Sequence, residues 1–157
     1  MVKILFVCHG NICRSPMAEY IMKKMVEERG IADRFHIESA ATSSEEIWNG
    51  VGNPVYPPAA RELAAHQISC QGHHARRLER GDYERFDMLI GMEDYNIRNM
   101  MRILGKDPKK KVCKLTDFSG GGNISDPWYT DDFDTAYRQI REGCEGLLAY
   151  LEGKDYS

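Results

Sequence analysis

The run Cys8-His9-Gly10-Asn11-Ile12-Cys13-Arg14-Ser15 holds residue types whose spacing suits nucleophilic attack on a bound tetrahedral oxyanion. Gly10 and Asn11 tolerate positive φ, so the chain can curl there until successive N–H groups point inward. A nest of that kind, closed by a helix N-terminus, binds phosphate-like anions. Arg14 adds a planar fork that can grip two anion oxygens, which a lysine point charge cannot match. Cys8 then lies at the floor of the cradle, where inward N–H groups, a helix end and a guanidinium favour thiolate over thiol. His9, Gly10, Asn11, Ile12 and Cys13 form the cradle itself. Ser15 stands where its hydroxyl can hydrogen-bond the sulfur or help it leave.

A second chemical signal lies far downstream. The oxygen of an aryl phosphate leaves well only if it gains a proton, and Asp126 is the candidate acid. Pro127 stiffens the backbone behind it, and Gly120, Gly121 and Gly122 would let the preceding loop reach over a pocket. An Asp-Pro pair alone is a common turn. Its weight comes from sharing a chain with the anion loop.

These residues need elements to hold them. Residues 3–8 form a continuous apolar run, the pattern of a strand buried on both faces. Ser15 as N-cap and Pro16 at the first helical position predict a helix, with Met17, Ala18, Ile21, Met22, Met25 and Val26 at helical spacing and Gly30 as its stop. Residues 35–41 read as a second strand, 42–53 as a polar loop and 58–66 as a short helix. Residues 86–92 read as a third strand, followed by a helix to Leu104, and 111–115 as a fourth. The last helix is the clearest. Phe133, Ala136, Tyr137, Ile140, Cys144, Leu147, Leu148 and Leu151 share one face, and Thr130, Asp131 and Asp132 suit its N-terminus. This alternation predicts an α/β fold, a doubly wound four-stranded parallel sheet with helices on both faces. Ligands of such sheets sit outside the carboxyl ends of the strands, where the Cys8 loop falls.

With 157 residues, 42% hydrophobic and 29% charged, the chain fits one domain over residues 1–157. No apolar stretch is long enough to span a bilayer. The N-terminal apolar run meets a Gly/Asn turn instead of a small-residue cleavage site, so a cytoplasmic location is expected. A formal charge of −3 speaks against a nucleic-acid partner, and Lys109-Lys110-Lys111 reads as a solvated turn. Cys8, Cys13, Cys70, Cys113 and Cys144 form an odd set without a CxxC pair. That disfavours a disulfide framework or a structural zinc site and suits thiols in a reducing compartment.

Along nearly its whole length the chain resembles the low molecular weight protein tyrosine phosphatases. The marks are CHGNICRSPMAE from Cys8 to Glu19, Ser39-Ala40-Ala41-Thr42, His66, His73-His74-Ala75-Arg76, Met92-Glu93-Asp94-Tyr95-Asn96 and Asp126-Pro127-Trp128-Tyr129. The resemblance implies a phosphotyrosine phosphatase I-like fold, Cys8 as nucleophile, Arg14 as transition-state clamp and Asp126 as general acid. A phosphocysteine intermediate is then hydrolysed by water with Asp126 as base, and no metal or other cofactor is expected. Asn11, Ser39 and His73 match a hydrogen-bonded support of the loop, and Trp48, Trp128 and Tyr129 match aromatic walls of the cleft. In the family the pair matched by Cys8 and Cys13 forms a reversible disulfide that protects the nucleophile. The implied partner is a phosphotyrosine-containing protein, with phosphate or another oxyanion filling the loop. Nucleic acid and membrane partners are not expected, and a monomer is. Departures bear on substrate preference: Glu93 stands where many relatives have Asp, Trp128 where many have Tyr, and Glu45-Glu46-Ile47 enlarge the loop before Trp48.

Three readings compete. A thioredoxin-coupled arsenate reductase of this fold needs further redox cysteines in a mobile segment. Here Cys70 falls in a loop, but Cys113 falls in a strand and Cys144 on an apolar helix face. Protein arginine phosphatases carry Thr where this chain has Ile12, and a branched apolar side chain there favours an aryl ester over a guanidino phosphate. A non-catalytic phosphotyrosine-binding module would keep the cradle and lose Cys8 or Asp126, yet both are present.

Overall fold

Alternation within the first strand sets the architecture. In β1 (Val2–Cys8), Ile4, Phe6 and Cys8 enter one apolar cluster while Leu5 and Val7 enter another, so helices must cover both faces. The computed structural model describes residues 1–153, and the last four residues of the domain expected over 1–157 lie outside the described residues. In chain order the main elements are β1, α1 (Arg14–Glu28), β2 (Phe35–Ala41), β3 (Ile47–Trp48), β4 (Val51–Gly52), α2 (Pro57–Ala65), α3 (Asp82–Arg85), β5 (Met88–Gly91), α4 (Asp94–Leu104), β6 (Val112–Lys114), α5 (Pro127–Thr130) and α6 (Phe133–Glu152).

The principal sheet runs β2-β1-β5-β6 with every pairing parallel, and Cys8 ends β1 opposite Ala41. Met17, Ile21, Met22, Leu63, Ile140 and Leu147 bring α1, α2 and α6 onto one face. Tyr83, Phe86, Met100 and Leu104 bring α3 and α4 onto the other. The expected doubly wound α/β fold is therefore observed. From β1 the chain crosses to β2 on one side and later to β5 on the other. The reversal leaves a crevice at the carboxyl end of β1. Cys8 sits there.

Several boundaries differ from expectation. Helix α1 begins at Arg14 with Cys13 in the N-cap position and no side-chain cap. Ser15 is thus inside the first turn, with its hydroxyl turned to Cys8 instead of to a backbone N–H. Segment 42–53 is not a plain loop, because β3 and β4 pair as an antiparallel hairpin. Asn49 and Gly50 take φ of 49° and 76°, as a tight primed turn requires. The base of the hairpin is pinned by Gly52, where a Cβ would lie 1.8 Å from the Ala75 carbonyl oxygen. Residue 126 opens a four-residue helix, α5, that periodicity was too short to reveal.

Candidate active site

Hydrogen bonds to its carbonyls decide how the Cys8 loop folds. The carbonyls of Cys8 and His9 accept from the N–H groups of Thr42 and Ser43, that of Ile12 from Tyr56, and that of Cys13 from Met17. The Asn11 carbonyl accepts from His73 Nε2 at 2.9 Å. A trans peptide points its N–H opposite to its C=O. With these carbonyls held outward, the N–H groups of His9, Gly10, Ile12, Cys13 and Arg14 turn into a cavity of about 570 Å³ that those residues and Cys8 line. Asn11 makes the bend, at φ 61°.

The sulfur sits among donors. Asn11 Nδ2 donates to Ser15 Oγ at 2.8 Å, which leaves the Ser15 hydroxyl hydrogen for Cys8 Sγ, 3.0 Å away. The Asn11 backbone N–H donates to the same sulfur at 3.3 Å. Burial foremost, then the nearby Cys8 and Asp126 charges, push the Cys13 thiol up to about 12.

Arg14 is 3% exposed, and its guanidinium is directed at the cavity edge. Nη1 donates to Glu93 Oε2 at 2.5 Å and to the Ile124 carbonyl at 2.9 Å, and Nη2 donates to Asp126 Oδ2 at 3.2 Å. The other Asp126 oxygen accepts from Trp128 N–H at 3.1 Å and so caps α5. The residue is held from both sides. The loop before it is anchored too. Lys114 Nζ donates to the Gly122 carbonyl, Thr116 Oγ1 donates to the same oxygen, and Ile124 N–H donates to the Met92 carbonyl. The glycine run therefore makes a fixed turn, with Gly120, Gly121 and Gly122 all at positive φ.

Behind the loop lies a buried polar network. Ser39 Oγ donates to Glu19 Oε1, whose carboxylate also takes Lys23 Nζ and lies 3.9 Å from His73 Nδ1. Desolvation lowers the His73 pKa below its ordinary value, outweighing the Asn11 carbonyl and Glu19, which raise it. Arg76 N–H donates to Asn11 Oδ1 at 3.1 Å, while its guanidinium meets the buried Asp82 carboxylate. Desolvation alone would raise the Asp82 pKa, but the Glu79 N–H, Arg76 and Arg85 together hold it low. His73 thus joins Asn11 directly and Ser39 through the Glu19 carboxylate.

Comparisons with known proteins fit this geometry. The family model described as low molecular weight phosphotyrosine protein phosphatase matches residues 3–156. The protein-tyrosine-phosphatase YfkJ of Bacillus subtilis is 34% identical over 97% of both chains, and its crystal structure superposes with a TM-score of 0.92, at 32% identity over 99% of this chain and 97% of that one. A Rattus norvegicus phosphotyrosine protein phosphatase is 36% identical over 92% of each chain. The crystal structure of an arginine phosphatase from drosophila superposes with a TM-score of 0.83, at 31% identity, covering 96% of this chain and 98% of that one. The chain belongs to the low molecular weight protein tyrosine phosphatases.

As a phosphatase of that family it shows a cavity wall that sequence reasoning only partly named. Trp128 and Tyr129 line it, with Tyr56 behind Trp128 at a ring separation of 5.1 Å. Glu45, Glu46 and Glu93, which the sequence marks only as departures from the family pattern, line it as well, and so does Tyr95. Trp48 does not. Ile47 packs against the core, so its neighbour in the strand must face the other way, and Trp48 is 79% exposed. Glu19 was also missed. Its buried carboxylate beside Ser39 and His73 follows from the packing of α1 on β2, which local sequence does not reveal.

Proposed function

We propose that this protein-tyrosine phosphatase works through a phosphocysteine intermediate on Cys8, with Arg14 as clamp and Asp126 as general acid and base. The carrying observation is the loop itself: outward carbonyls, inward N–H groups and a sulfur at the floor that receives two hydrogen bonds. Cys8 sulfur attacks phosphorus in line and Asp126 gives its proton to the departing phenolic oxygen. The inward amides and Arg14 hold the equatorial oxygens as negative charge spreads over them. Water, deprotonated by Asp126, then displaces the sulfur, and the Ser15 hydroxyl steadies the departing charge. Asp126 and Glu93 hold Arg14 at the cavity edge, so an arriving phosphoryl group exchanges one set of anionic partners for another.

An aryl ester suits the rest of the cavity. Ile12 presents hydrocarbon at the loop, and Trp128, Tyr129 and Tyr95 supply ring faces above it. Relay chemistry of the arsenate reductase kind lacks support, because burial raises the thiols of Cys70, Cys113 and Cys144. The implied partner remains a phosphotyrosine-containing protein, and five free thiols suit a reducing compartment such as the cytoplasm. No helix among the described residues is long and apolar enough to cross a membrane.

The test compares phosphotyrosine with phosphoarginine peptides for wild type and Cys8→Ser. Wild type should hydrolyse the phosphotyrosine peptide far faster, sensitive to vanadate and indifferent to EDTA. Cys8→Ser should lose turnover yet still bind phosphate. Hydrolysis surviving in Cys8→Ser would remove the nucleophile assignment, and a preference for phosphoarginine would overturn the aryl specificity.

A further inference from the structure

The hairpin beside the cavity mouth carries charge and an exposed ring that bond breaking leaves unused. From it we infer that this phosphatase selects phosphotyrosine flanked by a basic side chain, arginine above all. The inference rests on phosphotyrosine occupying the cradle and adds the character of the residues beside it.

Glu45 and Glu46 line the cavity just before β3. The Glu45 side chain is 69% exposed and meets His9 Nε2 at 2.9 Å. Glu46 leans over the loop, since a Cβ on Gly10 would come 3.3 Å from its Cγ, and its Oε1 accepts from Asn53 Nδ2 at 3.1 Å. Two residues on, Trp48 offers an open indole face. Arg14 is the one lysine or arginine in the lining among the described residues. It is buried and already faces Glu93 and Asp126. Beyond the phosphoryl group, the near wall is therefore anionic. On the far wall Arg98 lies over the Tyr95 ring, 5.9 Å from its centroid, so the preference belongs to the hairpin side.

A guanidinium can take a carboxylate through two N–H groups and stack on indole, whereas an ammonium gains only charge. An acidic neighbour is repelled. Exposed pairs are individually weak, but a same-sign cluster at a mouth biases capture, so kcat/KM should differ roughly tenfold between arginine and glutamate flanks at low salt. Screening should shrink that spread, because the Debye length falls to about 3 Å at 1 M salt.

The experiment measures kcat/KM on matched phosphotyrosyl peptides carrying Arg, Lys, Ala or Glu beside the phosphotyrosine, at low and high salt. Wild type should rank them Arg, Lys, Ala, Glu. Glu45→Gln with Glu46→Gln should flatten the series, and Trp48→Ala should erase the advantage of Arg over Lys. A flat or acid-preferring series in wild type, or a series that the double variant leaves intact, overturns the inference. The same ranking is expected in calorimetric binding to the Cys8→Ser protein, which needs no turnover. A wild type inert toward p-nitrophenyl phosphate would instead overturn the phosphocysteine mechanism, leaving the binding series to decide the flank preference.

Discussion

Asp126 serves two purposes with its two oxygens, and that duality dictates how its role is tested. One oxygen caps α5 at Trp128 N–H and the other meets Arg14. Asparagine caps helices about as well as aspartate, so Asp126→Asn removes the acid without loosening the turn. Hydrolysis of phenyl phosphate should fall about 10²–10³-fold, the usual contribution of a positioned acid, while an activated dinitrophenyl ester should lose far less. Parallel losses across a leaving-group series would take Asp126 out of the acid role. Ser15→Ala removes the donor to Cys8 sulfur and leaves Asn11 Nδ2 without its acceptor. A hydrogen bond to a charged group contributes about 1.5–3 kcal/mol, so kcat should drop roughly 10–100-fold with KM little changed. Rapid-quench measurement of both steps checks this, and an unchanged kcat would show the hydroxyl to be structural only.

At the scale of elements, glycine in a helix is informative where it lets something approach. Gly143 and Gly146 lie on α6 beneath the one-turn helix Leu115–Phe118, and a Cβ on Gly146 would sit 1.9 Å from the Phe118 carbonyl oxygen. Helix propensity alone predicts that Gly146→Ala stabilises by about 1 kcal/mol. Overpacking reverses the sign and costs about 1–3 kcal/mol, so thermal denaturation should show Tm lowered by several degrees. A raised Tm would mean that the turn yields without strain. Signals of this class were partly legible. The apolar faces of β1 and α6 were readable because burial repeats at the period of the element. The hairpin β3–β4 carried its mark in Asn49-Gly50, but strands of two residues are too short for alternation to register. The helix start at Arg14 was misplaced because Ser15, an ordinary capping residue, spends its hydroxyl on the sulfur.

Across the whole molecule, one buried histidine links site and stability. The pKa of His73 is lowered mainly by desolvation, so between its folded value and the ordinary value of about 6.5 the unfolded chain binds more protons. Its contribution is complete above pH 6.5 and is lost as pH falls below it. Urea denaturation should therefore show unfolding free energy level from pH 8 to 7 and declining below about 6.5. His73→Gln keeps a donor for the Asn11 carbonyl and should flatten that decline. An unaltered slope in the variant would assign the effect to other groups.

Cys8, Arg14 and the loop between them stand within seven residues, and the chemistry proposed for them depends on local backbone curl that Gly10 and Asn11 already permit. Such short-range constraints are written in residue order, and so are strand and helix periods. What fills the rest of the cavity was decided only by tertiary structure. Parallel pairing of β1 with β5 and the tie from Ile124 to Met92 carry Glu93 and Asp126 to Arg14 across 79 and 112 positions of chain. The packing of Ile47 onto the core sends Trp48 outward and leaves Glu45 and Glu46 at the lip. Long-range placement follows from which apolar faces can be buried together, a property of the folded whole that no window of sequence contains.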